Sequence, residues 1–276
     1  MDLLLLLVVL AVCAGALLSN VEYNRTHYTA EFYQISSRKL THRIRIVFLS
    51  DVHLHEYGPD NADLVADIQN LQPDLILLGG DLVTDTIPSY DNMLSLCRQL
   101  TGIAPVYGVL GNHEDVKIFL QDDKELVSRF ESTGIHLLRN EEGVCELYGN
   151  SVSILGVEGQ PQDFDKYGAK SFMDQANQGT SYDFRICMTH IPTYFPDILE
   201  NYDFELGLAG HTHGGIVRIP KLGPLYTAEE GFFPTYAGGS FTLRNNATLI
   251  VSRGLGDSSK WPRINNVPEL SVIDVD

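Results

Sequence analysis

Six apolar runs of strand length divide most of this sequence, and they constrain its fold more than any other feature. The runs lie in RIRIVFLS, PDLILLGGD, APVYGVLGNHE, VSILGVEG, DFRICMTH and FELGLAGH. Short apolar runs rich in β-branched residues are typical of buried strands. Between the earlier runs, apolar residues recur at helical spacing in residues 60–71, 89–101 and 115–131. The alternation predicts parallel strand–helix–strand units.

The later part of the chain has a different pattern. After Gly214 it contains short strand-like stretches separated by glycine and proline, which favours a second sheet packed on the first. We therefore predict an α/β fold, a four-layer α/β sandwich with two central mixed β-sheets flanked by helices, formed as one domain over residues 43–276. In the helical segment 115–131, Phe119, Leu126 and Phe130 are expected to face the core.

The N-terminal residues 1–20 form a separate apolar segment with no charge from Leu3 to Asn20. A helix that is apolar on all sides needs lipid or a deep core around it, so we expect a membrane anchor or a signal-like segment. The apolar stretch is slightly shorter than the roughly 20 residues that span a bilayer, and a buried core helix is the alternative. Residues 21–42 are predicted to be a juxtamembrane lead-in with strand character.

The orientation of this segment stays open. Basic residues follow it and none precedes it, which by the positive-inside rule would place the main domain in the cytoplasm. An uncleaved export signal would place it on the other side. The basic residues concerned are Arg25, Arg38, Lys39, Arg43 and Arg45.

The charge of the chain limits its partners. A formal net charge of -17 repels phosphate backbones, so no nucleic-acid partner is expected. Cations bound in a cleft can reverse the local sign, so a phosphate-containing substrate remains compatible with this charge.

Polar side chains follow five of the six runs, at the point where each strand is predicted to end. In open α/β sheets such side chains meet at one edge, where ligands bind. Imidazoles and carboxylates without thiolates suit Mn, Fe or Zn better than Ca or Mg. These residues provide more ligands than one tetrahedral ion needs, and two ions that share a carboxylate would use the excess. The residues are Asp51, His53, Asp81, Asn112, His113, His190, His211 and His213.

The order of these motifs, D-x-H, GD, GNHE, H and GH-x-H, resembles the calcineurin-like metallophosphoesterase superfamily over residues 44 to about 215. Downstream, GGIVRIPKLGPLY, FFPTYAGGSF and VSRGLGDSS resemble a membrane-associated bacterial branch that is related to the UDP-2,3-diacylglucosamine hydrolases. Members of that branch often carry N-terminal transmembrane helices, which agrees with the apolar segment.

The resemblance implies a role for each motif residue. Asp51, His53 and His213 would hold one divalent metal ion, and Asn112, His190 and His211 the other. Asp81 would bridge both ions. His113 would lie beside the substrate as a catalytic residue without binding metal. Manganese is the expected metal, with iron or zinc as alternatives.

The implied activity is dinuclear-metal-dependent hydrolysis of phosphodiester or pyrophosphate bonds by direct attack of a hydroxide that bridges the metals. A lipid-linked or envelope substrate would suit the apolar segment. The D-R-G element of the superfamily's protein phosphatases is replaced by GGDLVTDTIPSY, so a protein phosphatase is not expected. Ile216 stands where the branch often has glutamine.

Two alternatives to an enzyme follow from the same residues. A noncatalytic binding or scaffold protein on this fold would be expected to lose ligands, whereas this chain keeps all seven together with His113. A structural zinc site would favour cysteine ligands. Arg218 and Arg253 follow the motifs and could contact a phosphate group or form surface salt bridges. Asp85 is expected at the rim of the site or as a support behind the ligands, and not as a metal ligand.

Overall fold

The computed structural model describes residues 3–37, 39–179, 181–257 and 261–276. Arg38, one of the basic residues after the apolar segment, and the two serines that end VSRGLGDSS lie outside the described residues. The helices are α1 (Leu3–Thr26), α2 (Ala62–Leu71), α3 (Asp91–Thr101), α4 (Asn112–Asp115), α5 (Leu126–Glu131), α6 (Ala169–Ala176) and α7 (Tyr194–Asp197).

The strands fall into two large sheets and two short hairpins. In chain order they are β1 (Thr29–Ile35), β2 (Ile44–Leu49), β3 (Leu75–Leu78), β4 (Val106–Gly108), β5 (His136–Leu137), β6 (Glu141–Leu147), β7 (Asn150–Gly156), β8 (Phe184–Met188), β9 (Leu206–Ala209), β10 (Arg218–Ile219), β11 (Gly223–Pro224), β12 (Tyr226–Thr227), β13 (Gly231–Phe232), β14 (Gly239–Thr242), β15 (Thr248–Val251) and β16 (Glu269–Val275). The hairpins are β10–β11 and β12–β13.

Both large sheets are mixed. The first has the order β1-β16-β2-β3-β4-β5, in which β2 to β5 are parallel and β16 is antiparallel to β2. The second has the order β14-β15-β9-β8-β7-β6, with parallel strands from β15 to β7 and antiparallel strands at both edges. The carboxyl ends of the parallel strands therefore define one functional edge in each sheet.

The two sheets pack face to face through apolar side chains. Ile46 and Phe48 of the first sheet share this layer with Ile186 and Leu208 of the second, and burial of each such side chain contributes about 1.5–3 kcal/mol. Helices α2, α3 and α5 cover the outer face of the first sheet, and α6 and α7 cover that of the second. The predicted four-layer sandwich with two central mixed sheets is confirmed.

The helical segment 115–131 differs from its prediction. A π-helical turn, Val116–Leu120, follows α4 directly, and the helix then breaks before α5. The break contains the polar stretch QDDK, in which Asp122 has a φ of 59°. Leu126 and Phe130 are buried as expected, but Phe119 is largely exposed. The expectation that Phe119 faces the core is wrong because the helix is interrupted between Phe119 and Leu126.

Helix α1 extends past residue 20 to Thr26, and its residues 3–19 are exposed. It is attached to the domain near its end, where Asn24 Nδ2 donates to the Arg263 carbonyl (3.1 Å) and Asn20 Oδ1 accepts from the Asn265 amide (2.7 Å). By length and composition α1 could cross a membrane, properties that an anchor and a signal sequence share. The segment 21–42 contains β1, an edge strand of the first sheet.

Candidate metal centre

The carboxyl ends of five parallel strands deliver the predicted polar residues to one place. Asp51 lies two residues beyond β2, Asp81 follows β3, and Asn112 follows β4. From the second sheet, His190 follows β8 and His211 follows β9. The convergence predicted from the sequence is present, because the two sheets align the carboxyl ends of these strands at one edge of the sandwich.

Asp51, His53 and His213 form a buried cluster, which we call the first half-site. One donor atom from each residue lies within 4.8 Å of the others. The Nε2 atoms of His53 and His213 are 3.1 Å apart, and His213 Nε2 is 3.5 Å from Asp51 Oδ1. Two imidazole nitrogens that face each other this closely need a shared proton or a cation between them. The cluster therefore suits a metal ion.

Asp81, His190 and His211 form the second half-site by the same distance criterion. His211 Nδ1 lies 3.2 Å from His190 Nε2, which in turn lies 3.2 Å from Asp81 Oδ2. The Nδ1–H of His190 donates to the Gly79 carbonyl (2.8 Å), so Nε2 is the nitrogen available to a cation.

Asn112 adds an oxygen donor to the same cleft. Its Oδ1 atom is buried and has no hydrogen-bond partner among the described residues. Buried acceptors are normally satisfied, so this atom is available for a ligand. Asn112 begins α4 and lines the cleft together with Asp81 and His211. An unsatisfied amide oxygen beside imidazoles and a carboxylate fits a divalent cation with nitrogen and oxygen ligands.

Asp81 lies between the half-sites. Its Oδ2 atom is 3.2 Å from His190 Nε2 in the second half-site and 3.8 Å from His53 Nε2 in the first. A single carboxylate oxygen therefore faces both clusters. This position is the one that a bridging ligand requires.

The two half-sites differ in their electrostatics before a cation binds. Burial lowers the pKa of His53, and it lowers the pKa of His213 to about 3. Burial also opposes protonation of His190, but the adjacent Asp81 carboxylate outweighs it and raises the pKa of His190 to about 10. The first half-site thus presents neutral imidazoles, and the second contains a protonated one.

The backbone is strained at these ligands. Asp51, His53, Asp81, His211 and His213 all have φ values between 49° and 71°. This left-handed region costs side-chain-bearing residues about 1–3 kcal/mol each, and such strain clusters at functional sites. The strained backbone aims five candidate ligands at one small volume.

Two glycines make the close packing at these turns possible. A Cβ atom on Gly210 would lie 1.9 Å from Ser50 Oγ and 2.3 Å from Asp51 Oδ2. A Cβ atom on Gly111 would lie 2.2 Å from Asp81 Oδ1. Glycine is therefore required where the GH-x-H and GNHE turns approach the aspartates.

His113 lies beside the half-sites, and its partner is Asp85. The Nδ1 atom of His113 is 2.8 Å from Asp85 Oδ1 and 3.1 Å from the Asp85 amide nitrogen. Its Nε2 atom is on the side of the metal ligands, 4.0 Å from Asp81 Oδ2. In the protonated ring, Nδ1–H binds the Asp85 carboxylate and Nε2–H is available to the cleft. Asp85, expected at the rim or as a support behind the ligands, thus orients the imidazole.

Three further residues support the ligands and were not identified from the sequence. Buried Glu114 accepts from the amides of Asp81 (2.8 Å), Gly111 (2.8 Å) and Val83 (3.0 Å), and burial raises the pKa of Glu114 to about 7. The motif GNHE contains Glu114 and could have indicated it. These bonds tie the β3 and β4 loops together behind Asp81.

The other two residues that support the ligands are Glu229 and Arg263. Glu229 Oε1 lies 2.9 Å from His211 Nε2, and buried Arg263 donates to the His213 carbonyl at 3.1 Å. Each is far in sequence from its partner and belongs to no recognised motif. Carboxylate contacts of this kind fix the tautomer and orientation of a ligating histidine, so Glu229 directs His211 Nδ1 towards His190.

Arg218 and Arg253 are both engaged by other groups of the protein. Arg218 Nη1 donates to the Gly214 carbonyl at 3.0 Å. Arg253 pairs with Glu31 at 2.8 Å and with Glu269 at 3.2 Å. The salt-bridge alternative describes the contacts of Arg253, and a phosphate contact by either arginine stays a prediction. The cleft of about 190 Å³ above the ligands is lined by Asp81, Asn112, His113, His211, Thr212, His213, Ile216, Thr227, Ala228 and Glu229.

The chain is similar to known proteins over most of its length. Residues 44–215 match the family model described as calcineurin-like phosphoesterase. The uncharacterized protein YpbG of Bacillus subtilis strain 168 is 26% identical over 268 residues, which are 96% of this chain and 94% of that protein. The phosphodiesterase YaeI of Escherichia coli strain K12 is 26% identical over 236 residues, 84% of this chain and 82% of that protein. The crystal structure of TT1561 of Thermus thermophilus aligns with a TM-score of 0.49 at 14% identity and covers 78% of this chain and 91% of that chain.

Proposed function

Because the chain belongs to the calcineurin-like phosphoesterase family, we propose that it is a hydrolase that uses two divalent metal ions to cleave phosphodiester or pyrophosphate bonds. The position of Asp81 carries this proposal, since one carboxylate oxygen faces both half-sites. A complete ligand set beside a partly exposed histidine argues against the alternative of a noncatalytic scaffold.

Each half-site would hold one ion. Asp51, His53 and His213 would bind the first and Asn112, His190 and His211 the second, with Asp81 shared. When bound, two such ions lower the pKa of water and neutralise the charge of a phosphoryl group. The donor set suits manganese, which we propose, and is compatible with iron or zinc.

His113 would act as the general acid. Its Nε2–H is on the side of the cleft, where it can donate a proton to the departing oxygen of the substrate. The Asp85 carboxylate, 2.8 Å from Nδ1, holds the orientation of the imidazole ring. Such proton transfer typically contributes about 100- to 10,000-fold in rate.

The class of substrate is supported by fewer observations. YaeI, a relative over most of the chain, is named a phosphodiesterase, and we infer the same preference here over protein phosphatase activity. The exposed apolar helix α1 supports association of residues 1–20 with a membrane and a lipid-linked or envelope substrate for the domain of residues 43–276. The net charge of -17 argues against nucleic acid.

The test is a leaving-group series with the detergent-solubilised full chain. A nitrophenyl leaving group departs without a proton, whereas an alkoxide needs one. His113→Gln should therefore keep both metal ions, lose most activity on an alkyl diester, and lose much less on a nitrophenyl diester. Asp51→Asn should damage both reactions alike, because it weakens a metal site.

His42→Gln is the matched control, since His42 is exposed and remote from the cleft, and it should behave as the wild type. Equal losses across the series for His113→Gln with both metals retained would contradict the general-acid role. No hydrolysis of any diester or pyrophosphate by the metal-loaded wild type would contradict the proposed function itself.

A further inference from the structure

An exposed apolar rim lies beside His113. Phe119 and Leu120, at the end of the π-helical turn, are 68% and 80% exposed, and Ile87 is also exposed. Lys117 Nζ donates to the Ile87 carbonyl (2.6 Å), and Gln121 Nε2 donates to the carbonyl of Asp85, the partner of His113 (2.8 Å). These bonds hold Ile87, Phe119 and Leu120 together next to the catalytic histidine, and we call them the first rim.

A second exposed apolar rim lies on the other side of the cleft. The tip of hairpin β12–β13 lines the cleft, and the strands below the tip carry Tyr226 and Phe232, whose rings are 5.3 Å apart. Phe232 and Phe233 are 71% and 62% exposed, and Leu222, in the turn of hairpin β10–β11, is exposed as well. Leu222, Tyr226, Phe232 and Phe233 form the second rim.

The second rim is connected to α1 through the chain between them. Asn20, where the exposed part of α1 ends, accepts from the Asn265 amide at 2.7 Å. Asn265 Nδ2 donates to the carbonyl of Arg218 at 2.9 Å, and Arg218 begins the hairpin that carries Leu222. The apolar surface of α1 therefore approaches the body of the protein beside the second rim.

A polar cleft with apolar rims on both sides is unusual for a surface that faces only water. Large exposed apolar patches mark sites that contact a protein, a ligand or a membrane. Here the second rim lies next to the attachment point of a helix of 24 residues whose apolar stretch is fully exposed. Because the second rim adjoins α1, a lipid bilayer is the occupant that would cover both rims and α1 together.

We propose that the catalytic face of this protein docks on a lipid bilayer through both rims, with α1 in the same membrane. Docking is driven by burial of apolar side chains and not by charge, because the chain carries a net charge of -17 and would be repelled by anionic headgroups. Docking also presents the metal cleft to phosphoesters at the membrane surface, a consequence that rests on the proposed function.

Site-specific labels on the full chain in phosphatidylcholine vesicles test the docking. Cys13→Ser removes the exposed native cysteine, and the other three cysteines are buried. A polarity-sensitive nitrobenzoxadiazole label is attached at Leu120→Cys in the first rim and at Phe233→Cys in the second. The control is Tyr148→Cys, since Tyr148 is 60% exposed. Its hydroxyl donates to the Asp74 carboxylate, which precedes β3 at the end of the strand opposite the cleft.

Labels at 120 and 233 should shift to blue emission and be quenched by lipid-attached nitroxides, whereas the label at 148 should stay accessible to aqueous iodide. Quenching should persist between about 0.1 and 1 M salt, over which the Debye length falls from roughly 10 to 3 Å. Iodide accessibility at both rims equal to that at 148 would overturn the proposal. Quenching at only one rim, or its loss in high salt, would also overturn it. The readout needs no hydrolysis, so it is independent of the proposed function.

Discussion

Asp81 faces both half-sites of the candidate metal centre, but the half-sites differ in how ready they are for a cation. In the first, burial keeps His53 and His213 neutral by lowering their pKa values. In the second, Asp81 raises the pKa of His190 to about 10 in spite of burial. The first half-site can accept an ion without losing a proton, whereas the second must release one. Because Asp81 raises the pKa of His190 and faces both half-sites, we expect metal binding in the second half-site to be linked to release of the His190 proton.

The half-sites also differ in what surrounds them. His213 is backed by buried Arg263, which donates to its carbonyl. His211 reaches the cleft and is held by Glu229, a half-exposed residue on the hairpin tip. The first half-site is thus fixed by the interior of the protein, whereas in the second a surface segment holds one ligand, His211. Variants that act on one half-site alone can separate these contributions.

The largest effect is expected from Asp81→Asn, which removes the charge that faces both half-sites. Metal affinity should fall in both by more than the roughly 10- to 100-fold that loss of an outer partner of a ligand costs, and hydrolysis should be lost. His213→Ala should empty mainly the first half-site and His211→Ala mainly the second. Elemental analysis after equilibration with manganese gives the number of ions per chain for each variant.

Circular dichroism of each variant is the control, because a folded chain is needed for the comparison. If Asp81→Asn retained one tightly bound ion while His213→Ala lost both, Asp81 would not be the shared ligand. The division of the ligands between the two half-sites would then need to be reassigned.

A smaller effect is expected in the pH dependence of metal binding. Because the pKa of His190 is raised to about 10, an ion in the second half-site should displace about one proton, and its affinity should rise about tenfold per pH unit near pH 8. The lowered pKa values of His53 and His213 leave no proton to displace in the first half-site at this pH. Glu114, with a pKa raised to about 7, is largely ionised at pH 8 and should contribute little.

Calorimetric titrations of His213→Ala and His211→Ala, in buffers of different ionisation enthalpy at pH 8, count these protons. His213→Ala, which retains the second half-site, should release about one proton per ion, and His211→Ala should release close to none. Equal proton release by the two variants would contradict the difference in protonation between the half-sites.

The sequence predicted the fold and the convergence of the polar residues because both depend on local patterns, whereas the role of each ligand was implied by the family resemblance and stays a prediction. Apolar runs identify strands, and a polar residue at the end of a run, such as Asp81 or His190, marks the edge at which strands meet. Contacts between distant segments leave no such pattern. Glu229 and Arg263 therefore could not be found, and Arg253 could not be recognised as a partner of Glu31 and Glu269.

Helix periodicity was misleading at one point for a physical reason. Phe119, Leu126 and Phe130 fit one helical face only if the helix is continuous, and the turn at Asp122 interrupts it. The consequence is an exposed phenylalanine beside the cleft, which became part of the first rim. The same interruption therefore explains both the failed prediction and a feature of the surface.

The most direct test of this account is a titration of the metal-free chain with Mn²⁺ that records bound ions and nitrophenyl diester hydrolysis in the same samples. We predict that binding saturates at two ions per chain and that activity develops as the second ion binds. Binding that never exceeds one ion, or full activity with a single ion bound, would contradict the two half-sites bridged by Asp81.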